Sequence, residues 1–246
     1  MGAWATRWWG ALLDAWALLL PVDCAGCGAN DRGLCGDCLH ELAPDLTPRI
    51  TAGGLSVVTA LRYEGRVRRI ILALKEHQRT DVATALSRPL EAAIRRSLAA
   101  GLAELVTVPT GRTSYRRRGY DPVALLLRPT GFARSRVLMP ARRTSAQKSL
   151  GSAARALNLS GALIARASLA GRRFVLVDDI LTTGATLDEA ARAIRAAGGE
   201  VLGAATLAFT PRLFPGRDKP TAEDYGGAKG AAKNRLGLHS GSGGRA

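Results

Sequence analysis

Two hydrophobic spacings alternate along most of this chain, and their order predicts its architecture. Leu55–Tyr63 is a β-branched, apolar run that reads as a strand. Gly65 then opens a helical pattern with Val67, Ile70, Ile71 and Leu74 at i, i+3, i+4 and i+7, ending near Lys75 and His77. A second helical stripe, Val82, Leu86, Leu90 and Ile94, contains Pro89, which marks a start or a kink. Leu105–Pro109 reads as a short buried strand, Val123–Leu127 as helix, Arg136–Met139 as strand and Arg142–Asn158 as polar loop. Phe174–Val177 is apolar at every position, as expected of a parallel strand covered on both faces. Leu187, Ala190, Ala191, Ile194 and Ala197 form the last helical stripe, closed by Gly198 and Gly199, before a final strand at Glu200–Phe209. Strands alternating with helices predict an α/β fold with a doubly wound, mostly parallel sheet.

The two ends depart from this rhythm. Trp4, Trp8, Leu12, Trp16 and Leu20 recur every four residues, a helical stripe that packs on its own domain or on a partner. Asp14 interrupts the only apolar run that could serve as a signal core, and Asp23 is a poor fit to a cleavage site. No apolar stretch approaches the roughly 18–20 residues a membrane span needs. A peripheral membrane helix is disfavoured because the polar face is sparse in Lys and Arg. These features predict a cytoplasmic protein. From Pro211 onward the periodicity stops in a glycine-rich tail that reads as disordered. The expected divisions are 1–48, an N-terminal helix with a cysteine module, 49–210, the α/β domain, and 211–246, the tail.

All four cysteines fall in one short stretch, as Cys24-x-x-Cys27 and Cys35-x-x-Cys38. Two such pairs supply four thiolates to one tetrahedral ion, with Gly26, Gly28, Gly33 and Gly36 allowing the tight turns. Two disulfides would need an oxidising compartment, which no export signal supports. A redox pair would sit in a thioredoxin-like βαβ context, which is absent. Structural Zn²⁺ is the expected ligand, a closed site that folds a segment too short to bury its own core. His40 reads as a solvent-exposed residue.

Charge narrows the ligand class. The chain carries a formal +15, and Arg112–Arg155 supplies +10 of it, with Asp121 as its single acid. Such an excess draws polyanions, whether nucleic acid, membrane or a phosphorylated small molecule. Only Tyr115, Tyr120 and Phe132 interleave with these arginines, too few to suggest stacking on single-stranded bases.

The most informative segment is Phe174–Thr186, an apolar strand leading to Asp178 and Asp179, then Thr182, Thr183, Gly184, Ala185 and Thr186. Ligands of open α/β sheets sit beyond the carboxyl ends of the strands. Paired carboxylates there can accept hydrogen bonds from vicinal ribose hydroxyls. The loop adds backbone amides, threonine hydroxyls and a helix N-terminus, which together suit a phosphate dianion. Ordinary helix capping by Thr182 or Thr183 is the alternative use of the same residues.

This string resembles the signature of type I phosphoribosyltransferases that binds phosphoribosyl pyrophosphate (PRPP). With the N-terminal stripe, the cysteine module, Tyr63–Arg66 leading to Lys75, and Tyr115–Tyr120, the chain resembles the ComF family, amidophosphoribosyltransferase-like proteins associated with DNA uptake. The likeness covers roughly residues 5–210 and implies the type I phosphoribosyltransferase fold, preceded by a helix and a zinc knuckle. It implies that Asp178 and Asp179 bind the ribose hydroxyls and that Thr182, Thr183, Gly184, Ala185 and Thr186 hold the 5′-phosphate. Pro109, Thr110 and Gly111 would form the pyrophosphate loop, with Arg112 and Arg118 beside it. Asp178, Asp179, Arg112 and Arg118 are thus the implied catalytic set, Lys75 lies at the site, and Arg143 and Gln147 fall on a loop that closes over substrate. Mg²⁺ would accompany PRPP. The implied function is transfer of phosphoribose to an unidentified acceptor. The alternative is a non-catalytic PRPP-fold zinc protein acting on single-stranded DNA or with DNA-uptake machinery. Asp121-Pro122 stands where the family usually has Asn-Gln, which bears on acceptor contact rather than on PRPP binding.

Overall fold

A computed structural model of the chain describes residues 22–30, 33–99, 101–109, 111–141 and 161–211. The N-terminal tryptophan stripe, the polar loop with Arg143 and Gln147, Thr110 and the glycine-rich tail lie outside the described residues. Among the described residues no helix is long and apolar enough to cross a membrane.

A short helix α1 (Gly36–His40) leads to an antiparallel pair, β1 (Thr47–Ile50) and β2 (Ser56–Arg62). Helices α2 (Gly65–Glu76) and α3 (Ala83–Leu98) follow, then β3 (Glu104–Thr107), α4 (Arg112–Arg118), α5 (Pro122–Leu127) and β4 (Arg134–Ser135). The chain continues through β5 (Leu138–Pro140), β6 (Leu163–Ala165), β7 (Arg173–Leu181), α6 (Ala185–Ala196) and β8 (Glu200–Phe209). Six strands form one sheet in the order β1-β2-β8-β7-β3-β4, parallel except for β1 at one edge, while β5 and β6 pair separately. This is the doubly wound, mostly parallel arrangement expected from the sequence.

Strand β7 shows why the sheet is covered on both sides. Its side chains alternate between two cores: Val175 and Val177 join Ile70, Leu86, Leu90 and Leu126 of α2, α3 and α5. Phe174 and Leu176 join Leu187, Ala190 and Ile194 of α6 on the other face. Every one of these side chains is essentially out of water, so truncating one, such as Leu86→Ala, should cost about 2–5 kcal/mol.

Several elements depart from the sequence expectation. Of the expected strand Arg136–Met139, only Leu138 and Met139 lie in a strand, the first two residues of β5. Arg136 and Val137 instead link β5 to β4, which ends at Ser135 in the other sheet. Strand β3 ends at Thr107, two residues before Pro109. Pro89 lies inside α3 and neither starts nor ends it. Pro48 sits in β1, where an edge position tolerates its missing N–H. Strand β7 does not stop at the aspartates but continues to Leu181, because Ile180 and Leu181 still pair with Ala208 and Phe209 of β8.

Candidate functional site

Parallel strands deliver their carboxyl ends to one edge of the sheet. Thr107, the last residue of β3, lies opposite Val177 of β7, so the loop containing Pro109 and Gly111 leaves the sheet beside Asp178 and Asp179. The third contribution comes from the end of α2, where Lys75 Nζ lies 2.9 Å from Asp179 Oδ2, both side chains largely buried. The Asp179 backbone N–H donates to Asp178 Oδ1 at 2.8 Å. Burial and the adjacent Asp179 carboxylate push the Asp178 carboxyl from the ordinary 3.8 up to about 7, against the opposing pull of that N–H and of Lys75. A carboxyl raised within β7, beside a second carboxylate and an ammonium, is a signature of functional sites more than of packing.

The loop after β7 is built for close approach. Gly184 has φ +82°, and a Cβ there would lie 2.5 Å from Thr51 Cγ2, so both backbone geometry and space require glycine. Gly184 is also the N-cap of α6 and offers no side-chain cap, so capping by Thr182 or Thr183 does not account for the sequence. The single local bond is long: Ala185 N–H donates to Thr183 Oγ1 at 3.4 Å. Thr182, Thr183 and Thr186 are exposed. The N-terminus of α6 therefore presents its amides, dipole and hydroxyls to solvent, ready for an anion.

Sequence reasoning missed the brace beneath this loop. Thr51 Oγ1 donates to Asp188 Oδ1, Gly53 N–H donates to Asp188 Oδ2 at 3.0 Å, and Leu55 N–H donates to Thr51 Oγ1 at 3.0 Å. The β1–β2 turn is thereby fastened to the first turn of α6, and the Asp188 carboxylate is engaged there. No local pattern could have paired two residues so distant in sequence.

Helix α4 is tied to the same end of α2. Arg118 Nη2 donates to Glu76 Oε1 at 3.1 Å and Arg117 pairs with Glu76 Oε2 at 2.6 Å. The Tyr120 hydroxyl donates to the Leu74 carbonyl. Arg118 Nε is buried with no partner, an unsatisfied donor at the margin of the site. Asp121-Pro122 proves to be a helix start: Asp121 Oδ1 accepts from Ala124 N–H at 3.2 Å and Pro122 takes the first turn of α5. Asp121 Oδ2 also accepts from Arg134 Nη1 at 2.6 Å, which leaves this carboxylate fully engaged. The structure thus brings together Lys75, Asp178, Asp179, Pro109, Gly111, Arg118 and the Thr182–Thr186 loop. Thr110, Arg143, Gln147 and the Arg112 side chain are outside the described residues.

The four cysteine sulfurs all lie within 4.8 Å of one another, and Cys27 Sγ is 3.6 Å from Cys35 Sγ. Tetrahedral zinc with Zn–S near 2.3 Å needs sulfurs about 3.8 Å apart, so donor set and spacing fit a four-thiolate zinc site. Burial pushes the Cys24 thiol up, but backbone N–H groups around it outweigh that and bring it down to about 6; the Cys35 N–H lies 3.4 Å from its sulfur. A Cβ on Gly26 would lie 2.5 Å from Cys38 Sγ, so the first knuckle requires glycine at that position. His40 is exposed and outside the cluster.

Comparison with known proteins follows the same division. A family model described as phosphoribosyl transferase domain matches residues 135–229. The DNA utilization protein YhgH of Escherichia coli K12 is 30% identical over 181 residues, covering 69% of this chain and 76% of that protein. The orotate phosphoribosyltransferase of Pyrobaculum aerophilum is 52% identical over 44 residues, 18% of this chain and 23% of that enzyme. The crystal structure of orotate phosphoribosyltransferase from Aeropyrum pernix aligns with 68% of this chain and 76% of its own, at 20% identity and a TM-score of 0.29.

Proposed function

Since this chain belongs to the ComF/YhgH-like family, with a phosphoribosyltransferase-type α/β fold and an N-terminal four-cysteine cluster, we propose that it is a DNA-handling protein that holds a ribose 5-phosphate unit. PRPP with Mg²⁺ is the first-choice ligand. The observation that carries this reading is the junction of β7 with α6, where Asp178 and Asp179 precede an uncapped helix N-terminus and exposed threonines. The carboxylates would accept the ribose hydroxyls, and the α6 amides with Thr182, Thr183 and Thr186 would hold the 5′-phosphate. Mg²⁺ would neutralise the pyrophosphate oxygens beside the Pro109–Gly111 loop. Zn²⁺ on Cys24, Cys27, Cys35 and Cys38 would be structural. The DNA association follows the name carried by the E. coli relative and the basic balance of the chain.

A second reading, transfer of phosphoribose to an acceptor, is favoured by the unbroken Asp178–Thr186 string. Displacement of pyrophosphate would need stabilisation of the leaving group and exclusion of water more than a protein nucleophile. By the family resemblance, Arg118 and Arg112 would serve the first task.

Calorimetric titration of PRPP with Mg²⁺ into the wild type and Asp178→Asn/Asp179→Asn tests the binding claim. We expect binding by the wild type and at least a roughly tenfold loss in the double variant, about 1.4 kcal/mol. Absent binding, or binding indifferent to the double change, removes the proposal. Pyrophosphate release from PRPP, screened across nucleobases and amines, decides between binding alone and transfer.

A further inference from the structure

Along the chain, Tyr115, Tyr120 and Phe132 are scattered too thinly among arginines to suggest a stacking surface. The fold gathers all three into one cleft of about 900 Å³ at the β3–β4 edge of the sheet. Gly119 (φ +77°) and Gly131 (φ +74°), one before α5 and the other after it, allow the left-handed turns that reverse the chain around that helix. Arg128, Arg134, Arg136 and Arg166 line the same cleft.

The four guanidinium groups are not equivalent. Arg134 is occupied by Asp121, the only acid in the lining. The side chains of Arg128, Arg136 and Arg166 are exposed and have no hydrogen-bond or ion-pair partner among the described residues. Three like charges held around one cavity repel one another, and among the described residues no carboxylate pairs with any of them. Each keeps its planar fork of donors free, the geometry that matches a phosphate. Tyr115 is half exposed and its hydroxyl makes no bond among the described residues, so its ring is free to stack. The cleft also includes Thr107 and Pro109, where the loop after β3 begins, whereas none of Asp178, Asp179 or Thr182–Thr186 lines it.

The geometry points to this cleft as a track for single-stranded nucleic acid, with phosphates on Arg128, Arg136 and Arg166 and a base on Tyr115. The assignment deepens the DNA-handling reading and depends on it, but it places DNA contact outside the ribose-phosphate loop. A single strand is specified because an open aromatic face stacks an unpaired base, which a duplex does not offer. Phosphate contacts release counterions, so binding here must weaken as salt rises.

The test measures anisotropy of a fluorescein-labelled oligothymidylate against the wild type, the triple variant Arg128→Gln/Arg136→Gln/Arg166→Gln, and Tyr115→Ala. The three arginine side chains make no bonds among the described residues, so the triple variant should fold as the wild type does. We expect it to lose at least roughly tenfold in affinity and its log–log salt slope to flatten by about 2, three contacts at about 0.7 each. Tyr115→Ala should lose roughly tenfold, the worth of one stacked base, with the salt slope kept. PRPP affinity, measured by calorimetry, should stay at the wild-type value in both. Triple-variant binding equal to wild type overturns the cleft and leaves DNA handling standing. A parallel fall in PRPP affinity also overturns it, by assigning the arginines to the ribose-phosphate site. Equal affinity for the duplex of the same sequence overturns the single-strand assignment. A wild type that binds PRPP but no oligonucleotide overturns both the cleft and direct DNA contact, leaving the ribose-phosphate site intact.

Discussion

Asp178→Asn separates what this site does for the fold from what it does for a ligand. In the folded chain the Asp178 carboxyl is raised from 3.8 to about 7 by burial and by Asp179. Between those values the native state keeps a proton that the unfolded chain has released. Stability therefore falls as pH rises through this window, and the penalty is complete above about 7. About three pH units correspond to about 4 kcal/mol at about 1.4 kcal/mol per unit. Part of the residue still reaches solvent, which screens the charge, so about 2 kcal/mol is the expected penalty in alkaline buffer. Asparagine is nearly isosteric with the neutral acid and carries no charge. The variant should match wild type in acid and exceed it by about 2 kcal/mol at pH 8, with the gap opening between pH about 4 and about 7. Urea denaturation of both proteins across that range measures the gap directly. In the same variant PRPP affinity should fall, because an amide cannot accept at both of its heavy atoms. A gap that does not change with pH, or a wild type more stable than the variant at pH 8, would refute the reasoning.

Gly184→Ala meets both a left-handed backbone and Thr51 Cγ2 at 2.5 Å, and should cost about 1–3 kcal/mol in urea denaturation together with a loss of PRPP affinity. Thr51→Val keeps the shape at the turn but removes the donor to Asp188 and the acceptor for Leu55 N–H; we expect about 1–3 kcal/mol of destabilisation and weaker PRPP binding, both read by the same assays. Metal analysis of protein purified under reducing conditions should give about one Zn²⁺ per chain, and chelation should lower the thermal midpoint of the whole protein, because Cys24 and Cys38 share the core of α2 and α3.

What was legible in the sequence depended on the range over which each feature is decided. Helices α2 and α6 and strand β8 appeared where their periodicity placed them, because each is a long element whose apolar face reports its own period. The cysteine cluster and the Asp178–Thr186 string were equally visible, since their donors are neighbours in sequence. The run Arg136–Met139 misled because the passage from one sheet to the other uses Arg136 and Val137, a tertiary event that no local pattern records. The continuation of β7 through Asp178 and Asp179 was hidden for a related reason: two carboxylates look like a strand end until Thr206 and Ala208 of β8 supply the pairing. Asp121-Pro122 looked like a lost functional pair, although Asp-Pro before an apolar run is also a local helix-start signal; only its pairing with Arg134 of β4 lay beyond local reach.

The two legible motifs, cysteines and phosphate loop, are joined by an element that neither motif announces. At one end of α2, Arg66 pairs with Glu41 at 3.0 Å, and a Cβ on Gly26 of the first knuckle would come within 3.2 Å of Ile70 Cδ1. Just beyond α2, Arg79 donates to the carbonyls of Asp23 and Gly33, on either side of the first cysteine pair. The far end of the helix presents Leu74 to Tyr120, Lys75 to Asp179 and Glu76 to Arg118. Consecutive residues on one helical turn therefore meet β7 and the arginine-rich segment around α4 together. Because a helix transmits position far better than a loop does, the placement of Lys75 is fixed by packing that includes Cys38 and Ile70. A closed four-thiolate site has no open position for chemistry, yet it still reaches the proposed ligand site, by holding the helix that holds the lysine that opposes the rise of Asp178.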